Sequence, residues 1–188
     1  MEELTIKILS YPLSDEFLKQ EVEKLLHESF NTSPRANIQE VKDAHYSAPA
    51  EYILISKNTE LVGIQMIFLR EAVFENQHII IGGLGGLCVK EEFRGRGIAR
   101  QLLSIAMEEM KRLSCDISML FTNVHNPQYV KLYNTYGFQI LDREYMFINR
   151  VGKVCKAKSA MIAPVNSEEK YERIFHSSGS LDIGAGEW

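Results

Sequence analysis

The chain has 188 residues, and what it has little of narrows the reading first. It has no long apolar run: the longest, Ile79 to Val89, is short and broken by four glycines, so no segment reads as spanning a bilayer. Cys88, Cys115 and Cys155 are odd in number and form no CxxC pair, and Met1-Glu2-Glu3 lacks the basic start and apolar stretch of a signal peptide. Both absences point to free thiols in a reducing, cytoplasmic setting. A basic excess is missing too. The net charge of −4 argues against a general nucleic-acid binder. The five histidines (27, 45, 78, 125 and 176) show no metal-ligand spacing, so no metal site is expected.

What remains is an ordinary globular composition, 45% apolar and 24% charged, with enough length to bury a core as one domain over residues 1–188. Leu4 to Leu9 alternates as a strand. Ser14-Asp15 offers a helix cap, and Phe17, Leu18, Val22, Leu25, Leu26 and Phe30 follow at helical spacing. Asn31 to Arg35 breaks that helix, and Ile38 to His45 reads as a short second one. Strands are expected at Glu51–Ser56, Leu61–Leu69 and Ile79–Val89, joined by turns at Lys57–Glu60 and Glu75–Gln77. A helix from about Gly97 to Leu113, a strand at Ile117–Phe121 and a helix from Asn126-Pro127 to Gly137 come next. Phe138–Ile148 and Ala157–Ala163 close the list as strands. The Ser- and Gly-rich stretch 176–188 reads by composition as a disordered tail. Strands joined by short turns predict an α+β class, with a mixed, largely antiparallel sheet flanked by helices.

Two patterns carry chemistry. In Arg94-Gly95-Arg96-Gly97-Ile98-Ala99 a strand gives way to a Gly-rich basic loop that opens a helix. Free N–H groups at such a helix start can hold a phosphate, glycines let it approach the backbone, and Arg94, Arg96 and Arg100 add cations. No Gly-Lys-Ser/Thr follows, so this is not a Walker loop, and Arg100 breaks the dinucleotide fingerprint. Alone, it is equally a basic turn capped by glycine. The second pattern is Asn126, Tyr129, Tyr133 and Gly137-Phe138, with 126, 129 and 133 at helical spacing. Alone, Tyr133 is an ordinary core aromatic.

Together they resemble the GNAT superfamily of acetyl-CoA-dependent N-acetyltransferases. The cofactor motif of that superfamily, Q/R-x-x-G-x-G/A, is met by Arg94 to Ala99, and its second motif by Asn126, Tyr133, Gly137 and Phe138. The resemblance implies acetyl-CoA as cosubstrate and the GNAT acyl-CoA N-acyltransferase fold. Main-chain groups of Leu87, Cys88 and Val89 would pair with the pantetheine arm, and N–H groups of Gly95 to Arg100 would hold the pyrophosphate. Asn126 would contact the cofactor near its thiol. Tyr133 would be the general acid, and Gly82, Gly83, Gly85 and Gly86 would belong to a bulged strand. The stretches Phe68–Leu103, Ala160–Pro164, Ser180–Asp182 and Gly186–Trp188 are further similar to the aminoglycoside 2′-N-acetyltransferase branch. Where members of that branch carry a strand glutamate, this chain has Gly85.

Acetyl transfer needs a deprotonated amine, a polarised thioester carbonyl and a protonated leaving thiolate. The N–H of Val89 or a near neighbour would serve the second and Tyr133 the third. For the base, Glu187 or Asp182 with the terminal carboxylate of Trp188, His125, or a water chain stay open. Asp182, Glu187 and Trp188 are the expected substrate-binding group, since clustered carboxylates attract a polyamine. A small-molecule amine is the expected partner, and a homodimer is compatible with the resemblance. Acetylation of a protein N-terminus or lysine, and a non-catalytic acetyl-CoA-binding module, are the competing readings.

Overall fold

The computed structural model describes residues 4–30 and 48–188. Seven strands form the main sheet in the order β1-β2-β3-β4-β5-β9-β6. They are β1 (Leu4–Ser10), β2 (Glu51–Lys57), β3 (Glu60–Phe74), β4 (Gln77–Val89), β5 (Ile117–Phe121), β6 (Gln139–Ile140) and β9 (Ala160–Pro164). Within this sheet, among the described residues, β4 and β5 pair in parallel and the other neighbours are antiparallel. The expected α+β class with a mixed, largely antiparallel sheet is therefore what forms.

Helix α1 (Glu16–Phe30) and helix α2 (Ile98–Arg112) lie on opposite faces. Ile98, Leu102, Leu103, Ala106 and Met110 of α2 are all buried, at the helical spacing the sequence shows, against Ile53, Val62, Ile67 and Leu84. On the other face Val22 and Leu25 of α1 pack on Leu54, Leu61, Ile64 and Cys88. Helix α3 (Pro127–Asn134) follows β5 and starts, as expected, with proline in its first turn. The predicted helix over Ile38–His45 lies outside the described residues.

The C-terminal third corrects the sequence reading in three places. Phe138–Ile148 is two strands rather than one, β6 in the main sheet and β7 (Tyr145–Ile148) in a second sheet. Ala157–Ala163 is likewise split between β8 (Val154–Ala157), the partner of β7, and β9. Residues 176–188 are not a disordered tail: after helix α4 (Glu168–His176), strand β10 (Leu181–Ala185) adds in parallel to β7. Composition misled because two distant arginines supply the donors this stretch needs. Arg70 donates to the carbonyls of Ile183 and Gly186, and Arg143 to those of Ile174, Ser177 and Gly179. Leu181 and Ile183 then bury against Tyr145, Phe147 and Ile174. Ser167 caps α4 by accepting the Lys170 N–H at 3.2 Å, with Glu168 and Glu169 in the first turn, a start signal present in the sequence.

Candidate active site

Strand β4 is the element on which the site is built. It pairs with β3 along almost its whole length, but with β5 only from Ile81 to Leu84. Beyond Leu84 the two parallel strands part, and residues 85–89 keep β3 on one side and, among the described residues, no strand on the other. Within that segment the register to β3 shifts: Ile64 faces Cys88 and Met66 faces Gly85, so Gly86 and Leu87 oppose the single residue Gln65. Gly86 accommodates the bulge at φ +64°, where a Cβ would also strike the Met66 side chain. Lys90 N–H donates to the Val62 carbonyl at 2.9 Å, which by strand alternation turns the main-chain groups of Val89 toward the open side. There the Val89 carbonyl accepts Arg94 Nε–H at 3.1 Å.

Helix α2 starts beside this free edge. Gly97 is its N-cap at φ 84°, with no side-chain cap, and the first intrahelical bond runs from the Gln101 N–H to the Gly97 carbonyl. The N–H groups of Gly97, Ile98, Ala99 and Arg100 thus have no partner within the helix and stand at the positive end of its dipole. Nothing lies within 4 Å of a Cβ placed on Gly95 or Gly97, so the backbone is open to a ligand. A cleft of about 380 Å³ runs over this surface, walled by Val89, Phe93, Arg94, Ile98, Arg100 and Leu132. Arg96 is spent elsewhere: its Nη2 donates to the Glu92 carbonyl at 2.9 Å while its guanidinium covers the Phe93 ring at 5.2 Å. It braces the loop, whereas Arg94 and Arg100 line the cleft. An anion with an apolar, hydrogen-bonding arm fits this set of groups.

Asn126 caps α3, its side-chain oxygen accepting the Gln128 N–H at 3.0 Å, so it stands ahead of the helix carrying Tyr129 and Tyr133. Tyr133 is half-buried, its ring edge-on to Phe138 at 5.9 Å. Burial, with a smaller contribution from Tyr129, pushes its hydroxyl up to about 12, so it holds its proton firmly at neutral pH. The thiol of Cys88 points to α1 and is likewise raised by burial, to about 11; its chain position concerns the backbone alone.

On the face opposite α2, the indole of Trp188 covers Gly83 and Gly85. A Cβ on Gly85 would lie 2.9 Å from Phe68 and 3.3 Å from the indole. Trp188 also meets the Phe121 ring at 4.8 Å, and Phe121 stacks on Tyr145 at 5.0 Å. The Tyr145 hydroxyl donates to the Glu187 carboxylate; burial first, then Glu187, raise the pKa of that hydroxyl. The three expected acceptor-binding residues are not one cluster. Glu187 and Trp188 sit on the inner side with Tyr145, whereas Asp182 is exposed between the inward Leu181 and Ile183, its carboxylate accepting the Gly184 N–H at 2.8 Å. Phe68, Phe121 and Tyr145 were not singled out from the sequence, since nothing local marks which strand residues meet a chain end over a hundred positions away from Phe68. Among the described residues no group of His, Cys, Asp and Glu could hold a metal, and no helix is long and apolar enough to cross a membrane.

Residues 16–138 match the family model described as "Acetyltransferase (GNAT) family". A curated relative, N-alpha-acetyltransferase 30 of Saccharomyces cerevisiae, is 33% identical over 100 residues, which are 53% of this chain. The match spans about half (54%) of that relative's length. Among solved structures, the NatC complex bound to Gag peptide and CoA superposes with a TM-score of 0.56 at 22% identity, over 86% of this chain and 98% of that one. An acyl-CoA N-acyltransferase from Pseudomonas aeruginosa gives 0.60 at 17% identity, over 86% and 99%. At such identities the two structures establish a shared fold.

Proposed function

The chain belongs to the GNAT acetyltransferase family, and from that premise we propose that it moves an acetyl group from acetyl-CoA to a primary amine of a small cationic acceptor, polyamine-like or aminoglycoside-like. When bound, acetyl-CoA supplies the activated acetyl carbon and a thiolate leaving group. The N–H groups of Gly97 to Arg100, with Arg94, hold its pyrophosphate, and the free edge Leu87–Val89 holds its arm. The Val89 N–H polarises the carbonyl. Tyr133, protonated throughout the neutral range, gives its proton to the departing sulfur. Asn126 keeps α3, and so Tyr133, in place through its cap.

The observation that carries the choice of acceptor is the Glu187 carboxylate at the Tyr145 hydroxyl, beside a row of rings in which Tyr145 stacks on Phe121 and Phe121 meets Trp188. A carboxylate beside aromatic rings, where the Arg70 guanidinium already lies 5.6 Å over the Trp188 ring, suits an alkylammonium, and the same carboxylate would take the proton that the amine must lose. Gly85 carries no side chain for that task, and Phe68 and Trp188 occupy the space one would fill. A second reading, transfer to a protein N-terminus, draws on the N-alpha-acetyltransferase relative.

Thiol release from acetyl-CoA, followed over a panel of polyamines, aminoglycosides and peptides, separates these readings. Saturable turnover with a small polycationic amine supports the proposal. Turnover with peptides alone transfers it to the second reading, and binding of acetyl-CoA with no turnover on the whole panel overturns both. Glu187→Gln raises KM for the cationic amine about tenfold, the loss of one charge-assisted hydrogen bond; an unchanged KM removes Glu187 from the acceptor site.

A further inference from the structure

Gln65 is fully buried in the middle of β3, the one residue opposite the bulge of β4. Period-two alternation places it on the α2 face, between Gly63, whose Cβ position meets Ile98 at 2.9 Å, and Ile67, which packs in the α2 cluster. Its Nε2 donates to two carbonyls at once, Met66 at 2.9 Å and Gly85 at 2.8 Å. Both amide hydrogens are therefore committed, and the second crosses the interrupted ladder to the strand residue just before the bulge. Its Oε1 is buried without a donor among the described residues. An apolar side chain of the same size would fill the space without that unmet acceptor, so packing alone does not account for glutamine here.

The bulge matters because it sets the phase of β4. One extra residue exchanges which main-chain groups face β3 and which face the open side. With the bulge at Gly86-Leu87, Lys90 serves β3 and Val89 faces the splay. A slip of one residue would turn the Val89 N–H back into the sheet.

We propose that Gln65 is a positioning residue of the acetyl-CoA site: its amide clamps the Gly85 carbonyl and so locks the bulge that presents the Val89 N–H to the thioester oxygen. The inference rests on the acetyl-CoA reading of the site and is independent of which amine is the acceptor. The Val89 N–H so presented meets the thioester carbonyl, which free CoA lacks, whereas the pyrophosphate contacts at Gly97 to Arg100 lie outside the bulge. Loss of the clamp therefore affects acetyl-CoA chemistry more than CoA binding, which a purely structural role would not do.

The test uses the full chain with Gln65→Met, which keeps length and volume, and Gln65→Asn, which keeps the amide but falls short of Gly85. CoA affinity is measured by calorimetry, and the acceptor-independent hydrolysis of acetyl-CoA, or transfer once an amine is found, is followed alongside. The expected result is CoA affinity within about threefold of wild type and a rate lowered about ten- to a hundredfold, as for a displaced oxyanion donor. Rates within threefold of wild type in both variants, or rate and CoA affinity falling together, overturn the proposal. Should neither variant fold, hydrogen exchange of residues 84–90 in the wild-type protein decides: greater protection by acetyl-CoA than by CoA supports the clamp, and equal protection overturns it. A wild-type chain that binds neither acetyl-CoA nor CoA refutes the cofactor reading instead, a result distinct from all of these.

Discussion

Tyr133 is the residue on which turnover is expected to depend most. Its hydroxyl is raised by burial to about 12, from an ordinary value near 10, so the folded chain binds this proton more tightly than the unfolded one. The associated stability is fully present below the unfolded value and is lost as pH rises from about 10 through about 12. The kcat profile should accordingly show no alkaline limb from this group below pH ~10. An alkaline limb near neutrality that vanishes in Tyr133→Phe would contradict the assigned proton. The same substitution should lower kcat by roughly a hundred- to ten-thousandfold with acetyl-CoA affinity nearly unchanged, and equal turnover would end the role. The helix that carries Tyr133 was legible from its proline start and the Gly137 beyond its end. Gln65 was not: its value comes from a register shift between two strands, which no local pattern records.

At the scale of elements, β4 and the C-terminal strand are the informative pair. The strand–loop–helix order from β4 into α2 could be read directly, because glycine spacing and the apolar face of α2 are local signals. The meeting of β10 with β7 could not be, because the two strands pair across about 35 residues, Arg70 and Arg143 tie down the carbonyls of β10 and of the segments flanking it, and its apolar partners lie far away in the chain. The glycines of β4 also acquired a second meaning. Besides the bulge, Gly83 and Gly85 make room for Trp188. That contact is open to a simple optical test, since Trp188 is the single tryptophan of the chain. Gly83→Ala places a methyl in the space of the indole, at a cost of about 1–3 kcal/mol for overpacking. Its fluorescence should shift to the red as the ring is displaced, with a lower Tm. Unshifted emission would mean that Trp188 does not lie on β4 in solution.

The whole molecule divides its labour between the two faces of one sheet. On the α2 side, a helix start whose first N–H groups have no partner within the helix, a cleft and the free edge of β4 form the proposed site for an anion with an extended arm. On the other side, Phe68, Phe121, Tyr145, Glu187 and Trp188 form an aromatic floor with a carboxylate. β4 and β5 pair only from Ile81 to Leu84, and the proposed transfer from one side to the other would pass through the splay beyond. Family membership rests on residues 16–138, whereas the proposed acceptor face draws on Tyr145, Glu187 and Trp188 beyond them, so acceptor choice is the part of the function that the family alone does not fix. The most direct measurement of this arrangement is a crystal structure of the protein with CoA. The account predicts the pyrophosphate on the N–H groups of Gly97 to Arg100, the arm along Leu87 to Val89, and the sulfur between Tyr133 and the splay. CoA seated elsewhere, or an arm that does not enter between β4 and β5, would contradict it.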